Sequence, residues 1–216
     1  IIEPSAGDGA FISAIKTLTH KHLFYDIKPE DESDDNEIIT QDFTKLDVKD
    51  EVSNAFPTVS KICFLGNPPF GRQAKFAKEF IKHACKTASI IAFILPKSFK
   101  KDSNKKTFNP YFHLLVNEEL PENAFMVNNL PYDVPCVFQV WEKRDYKREI
   151  PPTLKPTGYK FVKKDESPHL AFRRVGIYAG EFYTNYENKS HQSHYFIKFD
   201  EDKPLTSEIL NKLKKI

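Results

Sequence analysis

Short apolar runs alternate with amphipathic stretches over the first part of the chain. Runs typical of strands occur at 1–2, 22–25, 37–41, 61–66 and 89–95. Two stretches between them repeat apolar residues at helical spacing, namely Phe11, Ile12, Ile15 and Leu18, and then Phe76, Phe80, Ile81 and Ala84. Strands that alternate with helices favour a mostly parallel sheet, which binds ligands at the carboxyl ends of its strands. The pattern therefore predicts an α/β fold.

The pattern changes after the fifth of these strands. Two further strands are predicted at 124–127 and 136–141, and the proline-bounded turn Leu130–Pro135 between them is expected to close over the ligand site as a hairpin. Three prolines beyond residue 141 mark a linker, and short β-like pieces follow. We expect a main domain over 1–145 and a small β-rich extension over 146–216.

Glycine and acidic residues stand where the first three strands are predicted to end. Gly7 and Gly9 form a tight turn between the first strand and a helix, which places backbone amides against a nucleotide. Asp26 ends the second strand. Its distance along the chain from Gly9 is close to the roughly 20 residues after which an acid meets a ribose hydroxyl in nucleotide-binding sheets. Asp42 and Phe43 end the third strand and suit the amino group and the ring of a purine. Each assignment has an alternative. The glycines would form an ordinary turn, Asp26 would be an exposed loop acid, and Asp42-Phe43 would be a strand-end acid followed by a core Phe.

The fourth strand stops abruptly at Asn67-Pro68-Pro69-Phe70. The prolines end the hydrogen-bond ladder of the sheet and leave the carbonyl of Pro68 free. The side-chain oxygen of Asn67 would stand beside it, and two converging acceptors suit an exocyclic NH2 group whose lone pair turns toward an electrophile. Phe70 offers a face on which the ring of that amine can stack, with Pro69 beside it. The alternative is that the tetrapeptide merely ends a strand.

Positive charge gathers in the last third of the chain. The whole chain has a net charge of +2, whereas 147–216 has 14 Lys and Arg against 9 Asp and Glu, a net charge of +5. Within this segment, Arg173 and Arg174 stand among aromatic residues, an arrangement typical of nucleic-acid surfaces. An ordinary surface on a small β extension is the alternative.

Two further charged stretches lie in loops. Lys97, Lys100 and Lys101 follow the fifth strand and suit contacts to phosphates, with a plain solvated loop as the alternative. Six acids within 30–37 predict a solvated loop that points away from any polyanion.

Composition and cysteine usage narrow the class of protein. Hydrophobic residues make up 40% of the chain and charged residues 29%, as in globular proteins. The longest apolar run is too short to span a bilayer, and no charged-then-apolar leader opens the chain. The 3 cysteines lack Cys-x-x-Cys spacing, and His191 and His194 lack partners for a metal site. We expect an intracellular protein, cytoplasmic or nuclear or in a nucleoid, that is not secreted and binds neither a membrane nor a metal.

Three motifs, in this order along the chain, resemble those of S-adenosylmethionine-dependent N6-adenine methyltransferases of the Asn-Pro-Pro-Phe type. They are Glu3–Phe11, Asp42-Phe43 and Asn67–Phe70, and the resemblance covers 1–143. It implies a Rossmann-like, seven-stranded, mostly parallel sheet with an antiparallel last strand. It also implies that the cofactor is S-adenosyl-L-methionine. The residues expected around its methionine part are Glu3, Gly7 and Gly9, with Asp26 at the ribose and Asp42 and Phe43 at the adenine.

The resemblance implies methyl transfer to the N6 amino group of adenine in nucleic acid, with DNA favoured over RNA. Asn67, Pro68 and Phe70 would be catalytic, and the target base would be flipped out to stack on Phe70 with Tyr132 on its opposite face. A partner subunit for target recognition is a further expectation, because no large recognition domain is evident. The alternatives are a methyltransferase for protein glutamine amides, a non-catalytic nucleic-acid-binding subunit, and plain nucleotide binding with hydride transfer.

Overall fold

The computed structural model describes residues 1–29, 37–127, 130–152 and 154–213, and within it the chain divides into two compact units. The first unit is Ile1–Pro151 and the second is Pro152–Ile216, so the division falls in the proline-rich segment that the sequence marks as a linker. Except for Glu37, the acidic run predicted to form a solvated loop lies outside the described residues.

A seven-stranded sheet forms the centre of the first unit. Its strands are β1 (Ile2–Glu3), β2 (Leu23–Asp26), β3 (Ile38–Thr40), β4 (Cys63–Gly66), β5 (Ile90–Pro96), β6 (Phe112–Glu119) and β9 (Cys136–Lys143). They lie in the order β3-β2-β1-β4-β5-β9-β6. The first five are parallel, and β9 runs antiparallel to both β5 and β6. The predicted fold, a mostly parallel sheet whose last strand is antiparallel, is confirmed.

The apolar pattern of the sequence did not predict one strand of this sheet. The strand expected at 124–127 is instead β7 (Phe125–Val127), which pairs with β8 (Leu130–Tyr132) in a separate two-stranded hairpin. Phe112–Glu119 takes the edge of the main sheet. Only Phe112 of this strand is fully buried, so its sequence lacks the apolar run by which the central strands are recognised.

Three α-helices of the first unit each bury a small apolar face, and a fourth, short helix buries no residue. They are α1 (Ile12–Leu18), α2 (Val48–Ala55), α3 (Lys75–Ala84) and α4 (Asp102–Lys105). Ala77, Ile81 and Ala84 of α3 are fully buried, whereas Phe76, which we expected on the same face, is 47% exposed. None of the helices within the described residues has the length and apolar character needed to cross a membrane.

The second unit is built on a four-stranded antiparallel sheet, which confirms the predicted β-rich extension. The strands β10 (Tyr159–Val162), β11 (Leu170–Arg173), β12 (Phe182–Tyr183) and β13 (His194–Phe199) lie in the order β10-β13-β11-β12, and α5 (Ser207–Leu213) follows them. The buried apolar residues of this unit are Leu170, Ala171, Phe196 and Ile197.

Arg148 ties the end of the first unit to the turn before β6. Its guanidinium donates four hydrogen bonds of 2.6 to 3.0 Å, to the carbonyls of Asn109, Phe112, Lys105 and Phe108. The guanidinium also lies 5.3 Å from the ring centre of Trp141, which stacks on Phe108. A planar fork with several donors is the one side chain that can satisfy so many carbonyls at once.

We therefore expect Arg148→Ala to lower the free energy of unfolding by about 3 kcal/mol, because hydrogen bonds to a charged group are lost and half-buried carbonyls are left unpaired. Arg144→Ala is the matched control. It removes an arginine whose guanidinium pairs with Glu142 at 3.2 Å near the surface, and it should lower the free energy of unfolding much less, because ion pairs in contact with water are weak. Urea denaturation of both variants measures the difference, and equal losses would contradict this role of Arg148.

Candidate active site

A cavity of about 630 Å³ opens at the carboxyl edge of the parallel strands, where the loops after β1, β2, β3 and β4 meet. Seven residues of the sequence-predicted site line it, namely Glu3, Gly7, Asp26, Asp42, Phe43, Asn67 and Pro69. They come from four separate strand ends, so the cavity exists only because the sheet order brings β1 between β2 and β4.

The glycine turn after β1 is held in place by the acid at the end of β2. The backbone N–H of Gly7 donates to Asp26 Oδ2 at 2.9 Å, and that of Lys28 donates to Oδ1 at 2.8 Å. Gly7 and Gly9 have φ angles of +56° and +79°, in the left-handed region that favours glycine. A Cβ at Gly9 would also come within 2.9 Å of Ile12 Cδ1. Each oxygen of Asp26 keeps a second lone pair for a ligand.

Asp42 at the end of β3 also has a local role. It accepts hydrogen bonds from Thr44 Oγ1 at 2.7 Å and the Thr44 N–H at 3.0 Å, and Lys45 Nζ lies 3.1 Å from its other oxygen. These contacts, that of the Thr44 hydroxyl first, lower the pKa of Asp42. The carboxylate therefore stays ionised beside the cavity and accepts from donors.

Phe43 is a core residue, as in the alternative interpretation of the Asp-Phe pair. It is 1% exposed, and its ring contacts those of Phe64, Phe80 and His83 at centroid distances of 5.4, 5.2 and 4.8 Å. Although Phe43 lines the cavity, so little of it is exposed that it offers a ligand no open face. The exposed large hydrophobic residues at the cavity are Ile27, at 71%, and Phe76, at 47%.

Two acceptors at the end of β4 have no hydrogen-bond donor among the described residues. The side-chain oxygen of Asn67 is buried and unpartnered, and the carbonyl of the buried Pro68 accepts no hydrogen bond there either. The loop is nevertheless held firmly, because Ser5 Oγ donates to the Asn67 carbonyl at 3.0 Å. An unsatisfied buried acceptor costs about 1 to 3 kcal/mol, so a ligand that donates to it would relieve that cost.

The loop that follows collects left-handed backbone. Gly71, Gln73 and Ala74 have φ angles of +67°, +54° and +56°. A Cβ at Gly71 would lie 2.6 Å from Phe76 Cδ2, so the glycine lets the ring of Phe76 pack against the loop. Left-handed residues other than glycine cost free energy and tend to cluster at functional sites. Neither Gly71 nor Phe76 stood out in the sequence, because the helical spacing of Phe76 is that of a core residue.

Phe70, expected to be the stacking face, does not line this cavity. It is half-buried against the core, and its carbonyl accepts from the Phe76 N–H at 3.2 Å as α3 begins. Its neighbour Pro69 is exposed and does line the cavity. Only part of the Phe70 side chain is exposed, and its role as a stacking face stays a prediction.

Glu3 is the most perturbed group at the cavity. It is 1% exposed, and Oε2 has no hydrogen-bond partner among the described residues. Burial, reinforced by the charges of Asp8 and Asp26, raises the pKa of Glu3 to about 8. A Cβ at Gly66 would lie 3.3 Å from Glu3 Cγ, so the glycine before Asn67 makes room for this side chain.

The lysine loop does not reach the cavity. Lys97 and Lys100 both bind Glu119 at the end of β6, at 2.7 and 2.5 Å, and together they lower the pKa of Glu119 to about 2. Lys101 is exposed and has no ion pair within the described residues. Two of the three lysines thus already pair with a glutamate, and the expected contacts of this loop to phosphates stay a prediction.

Three other predicted residues of the first unit do not line the cavity, namely Gly9, Pro68 and Tyr132, the last of which is in β8 and 55% exposed. Arg173 and Arg174 belong to the second unit. Among the described residues there is no group of three or more His, Cys, Asp and Glu side chains that could hold a metal ion.

The raised pKa of Glu3 predicts a particular pH dependence of stability. Between the ordinary pKa of 4.5 and the raised pKa of about 8, the folded state keeps a proton on Glu3 that the unfolded state releases. The contribution of Glu3 to the free energy of unfolding is therefore fully present below pH 4.5 and is lost as the pH rises to about 8. Glu3→Gln, which is neutral at every pH, should make the free energy of unfolding vary less with pH over this range. Urea denaturation at a series of pH values tests this, with Glu79→Gln on the exposed side of the same cavity as the matched control. Parallel pH profiles for Glu3→Gln and the parent would contradict it.

Comparisons with known proteins add little to this geometry. No family model matches the chain, and no curated protein matches it. Among solved structures it is similar to the 23S rRNA methyltransferase ErmE, with a TM-score of 0.48 and 14% sequence identity over 68% of this chain and 62% of that one. The chain thus spans about three fifths of that protein's length.

Proposed function

We propose that this chain transfers a methyl group from S-adenosylmethionine to the N6 amino group of adenine in nucleic acid. The observation that carries the proposal is the pair of undonated acceptors, Asn67 Oδ1 and the Pro68 carbonyl, at the end of β4 beside the cavity. An exocyclic amine has two N–H donors and no other group of adenine matches two adjacent acceptors in this way.

The cavity residues fit S-adenosylmethionine. The volume of the cavity lies within the range of small-molecule sites. Asp26 at the glycine turn has acceptor capacity left for the two ribose hydroxyls, and ionised Asp42 suits the cofactor's own adenine amino group. Glu3, with an unpartnered Oε2, suits the positively charged methionine end, and it would lose its proton on binding. In place of Phe43, Ile27 and Phe76 supply the apolar walls for the adenine ring.

In the proposed reaction, the protein positions and polarises the target amine. Bound S-adenosylmethionine supplies an electrophilic methyl group. Asn67 and Pro68 accept one N–H each, which draws the amine toward a tetrahedral shape and frees its lone pair from the purine ring. Neither group is a base, so the proton that the amine must give up passes to water. The hydrogen bond from Ser5 to the Asn67 carbonyl helps to hold the loop in the fixed position that direct transfer needs.

The target base would enter from the exposed side of the Asn-Pro-Pro turn. Pro69 is exposed there and Phe70 is half-buried, so stacking on Phe70 would help to offset the few kcal/mol that flipping a base out of a duplex costs. Tyr132 in the exposed hairpin is our candidate for the opposite face of the base.

Our candidates for contacts to the phosphates of the nucleic-acid strand are Lys97, Lys100 and Lys101, together with Arg173 and Arg174. Exposed pairs such as those with Glu119 are weak in water, so phosphates can compete for both lysines. A partner subunit that selects the target remains part of the proposal.

Asn67→Ala tests the chemical step. It removes one oriented acceptor and leaves the glycine turn and Asp26 intact, so cofactor binding should survive while methyl transfer falls by roughly 10²- to 10³-fold. Asn67→Asp, which keeps an acceptor oxygen, should retain more activity than the alanine variant. Single-turnover methylation of adenine-containing DNA and RNA, with nucleoside analysis of the product, is the measurement.

Several outcomes would overturn this proposal. Parent-like turnover by Asn67→Ala would remove the mechanism. A product on cytosine, or on a glutamine amide of a protein substrate, would replace the substrate. Tight cofactor binding without any product would favour a non-catalytic binding subunit.

Asp26→Ala tests the cofactor site. Loss of hydrogen bonds to a charged acceptor should weaken the binding of S-adenosylmethionine by roughly 10- to 100-fold in a calorimetric titration. Asp8→Ala is the matched control, because Asp8 is an exposed acid in the same glycine turn and makes only a 3.2 Å contact with the Ala10 N–H. If Asp26→Ala binds the cofactor as tightly as the parent, or if both variants weaken it equally, the ribose assignment is wrong.

A further inference from the structure

One corner of the sheet in the second unit carries two exposed aromatic rings on the same face. Phe161 of β10 lies opposite Ile197 of β13, and Tyr195 precedes Ile197 by two positions on the same strand. Residues that face each other across antiparallel strands, and those two apart along a strand, point to the same side of a sheet. The ring centres of Phe161 and Tyr195 are accordingly only 5.2 Å apart, with an interplanar angle of 54°.

The exposure of these two rings is unusual for this face. Phe161 is 53% exposed and Tyr195 is 44% exposed, whereas their neighbours Leu170 and Ile197 on the same face are 0% and 8% exposed. Two adjacent aromatic side chains left open to water beside buried neighbours indicate a binding surface.

Charge indicates the kind of partner. The guanidinium carbon of Arg174 lies 5.2 Å from the ring centre of Tyr195, and Nη2 donates to the Gln192 carbonyl at 2.9 Å, which anchors the side chain over the ring. Its other N–H groups make no hydrogen bond within the described residues. The second unit as a whole has 12 Lys and Arg against 8 Asp and Glu, a net charge of +4. The surface therefore suits a polyanion that also has flat apolar faces.

We infer that Phe161 and Tyr195, with Arg174, form a stacking surface for unpaired nucleotides of a single nucleic-acid strand. Bases in a duplex have their faces covered by their neighbours, so exposed rings on a β-sheet select unpaired bases, while the guanidinium meets a phosphate or extends the stack. The inference rests on the proposed function in one respect, since the strand held here would be the methyl acceptor.

Fluorescence anisotropy with the full chain tests this surface. The probes are a labelled adenine-containing single strand, as DNA and as RNA, and the duplex of the same sequence. Phe161→Ala and Tyr195→Ala should each weaken single-strand binding by about 5- to 150-fold, because that is the range for loss of one aromatic stack, with little effect on the duplex. Phe161→Tyr and Tyr195→Phe should keep parent affinity. Arg174→Gln should lower the slope of affinity against salt concentration by about 1.

The matched control is Tyr111→Ala. Tyr111 is a partly exposed tyrosine of the first unit with Lys147 5.8 Å from its ring centre, so it carries the same chemistry outside the proposed surface. Thermal unfolding of each variant separates loss of binding from loss of structure. If Phe161→Ala and Tyr195→Ala are less stable than the parent, Phe161→Leu and Tyr195→Leu decide, because they keep apolar volume but lose the π-face and should still bind the single strand weakly.

The inference falls if the alanine variants bind the single strand as tightly as the parent, if they lose single strand and duplex equally, or if Tyr111→Ala weakens binding to the same extent. Its failure is distinct from failure of the proposed function. A parent that binds the strand through Phe161 and Tyr195 but makes no methyladenine keeps the surface and removes the enzyme, whereas methylation that ignores both rings keeps the enzyme and removes the surface.

Discussion

The hydrogen-bond ladder of the main sheet cannot continue past the carboxyl end of β4, and the candidate site depends on this constraint. Pro68 and Pro69 have no N–H to donate, so β4 must stop there. The left-handed residues that follow then turn the chain sharply into α3. A strand that ends in this way leaves acceptors without donors, and Ser5 holds the loop so that they stay beside the cavity. The lack of N–H groups in Pro68 and Pro69 thus both ends the strand and leaves acceptors free beside the cavity.

The three acids at the cavity complement one another because each is held differently. Asp26 accepts two backbone N–H groups and thereby supports the glycine turn. Asp42 is kept ionised by Thr44 and Lys45, and Glu3 is kept protonated by burial and by the neighbouring acids. A cavity with this arrangement suits a ligand that brings several donors and a positive charge, since the charge would favour the ionised form of Glu3.

The aromatic residues show where local sequence misleads. Phe43 follows an acid at a strand end and so had two interpretations, and only its packing against Phe64 and Phe80 makes it a core residue. Phe76 has the spacing of a core residue, yet it lies exposed at the cavity, because Gly71 leaves room for its ring beside the loop.

The lysines at the end of β5 look free in sequence, but Lys97 and Lys100 form ion pairs with Glu119 of β6, a strand that the sequence did not reveal.

What could be read from the sequence is whatever depends on the backbone chemistry of a few adjacent residues. The order of strands and helices follows from apolar periodicity, the glycine turn from residues that adopt positive φ, and the end of β4 from prolines that cannot donate. These features single out Glu3, Gly7, Asp26, Asp42 and Asn67, which line one cavity. The ring that faces a ligand, the lysine that is free and the acid that holds a proton depend instead on contacts between residues far apart in the chain. Such contacts are settled by packing and burial, which no local pattern of residues encodes.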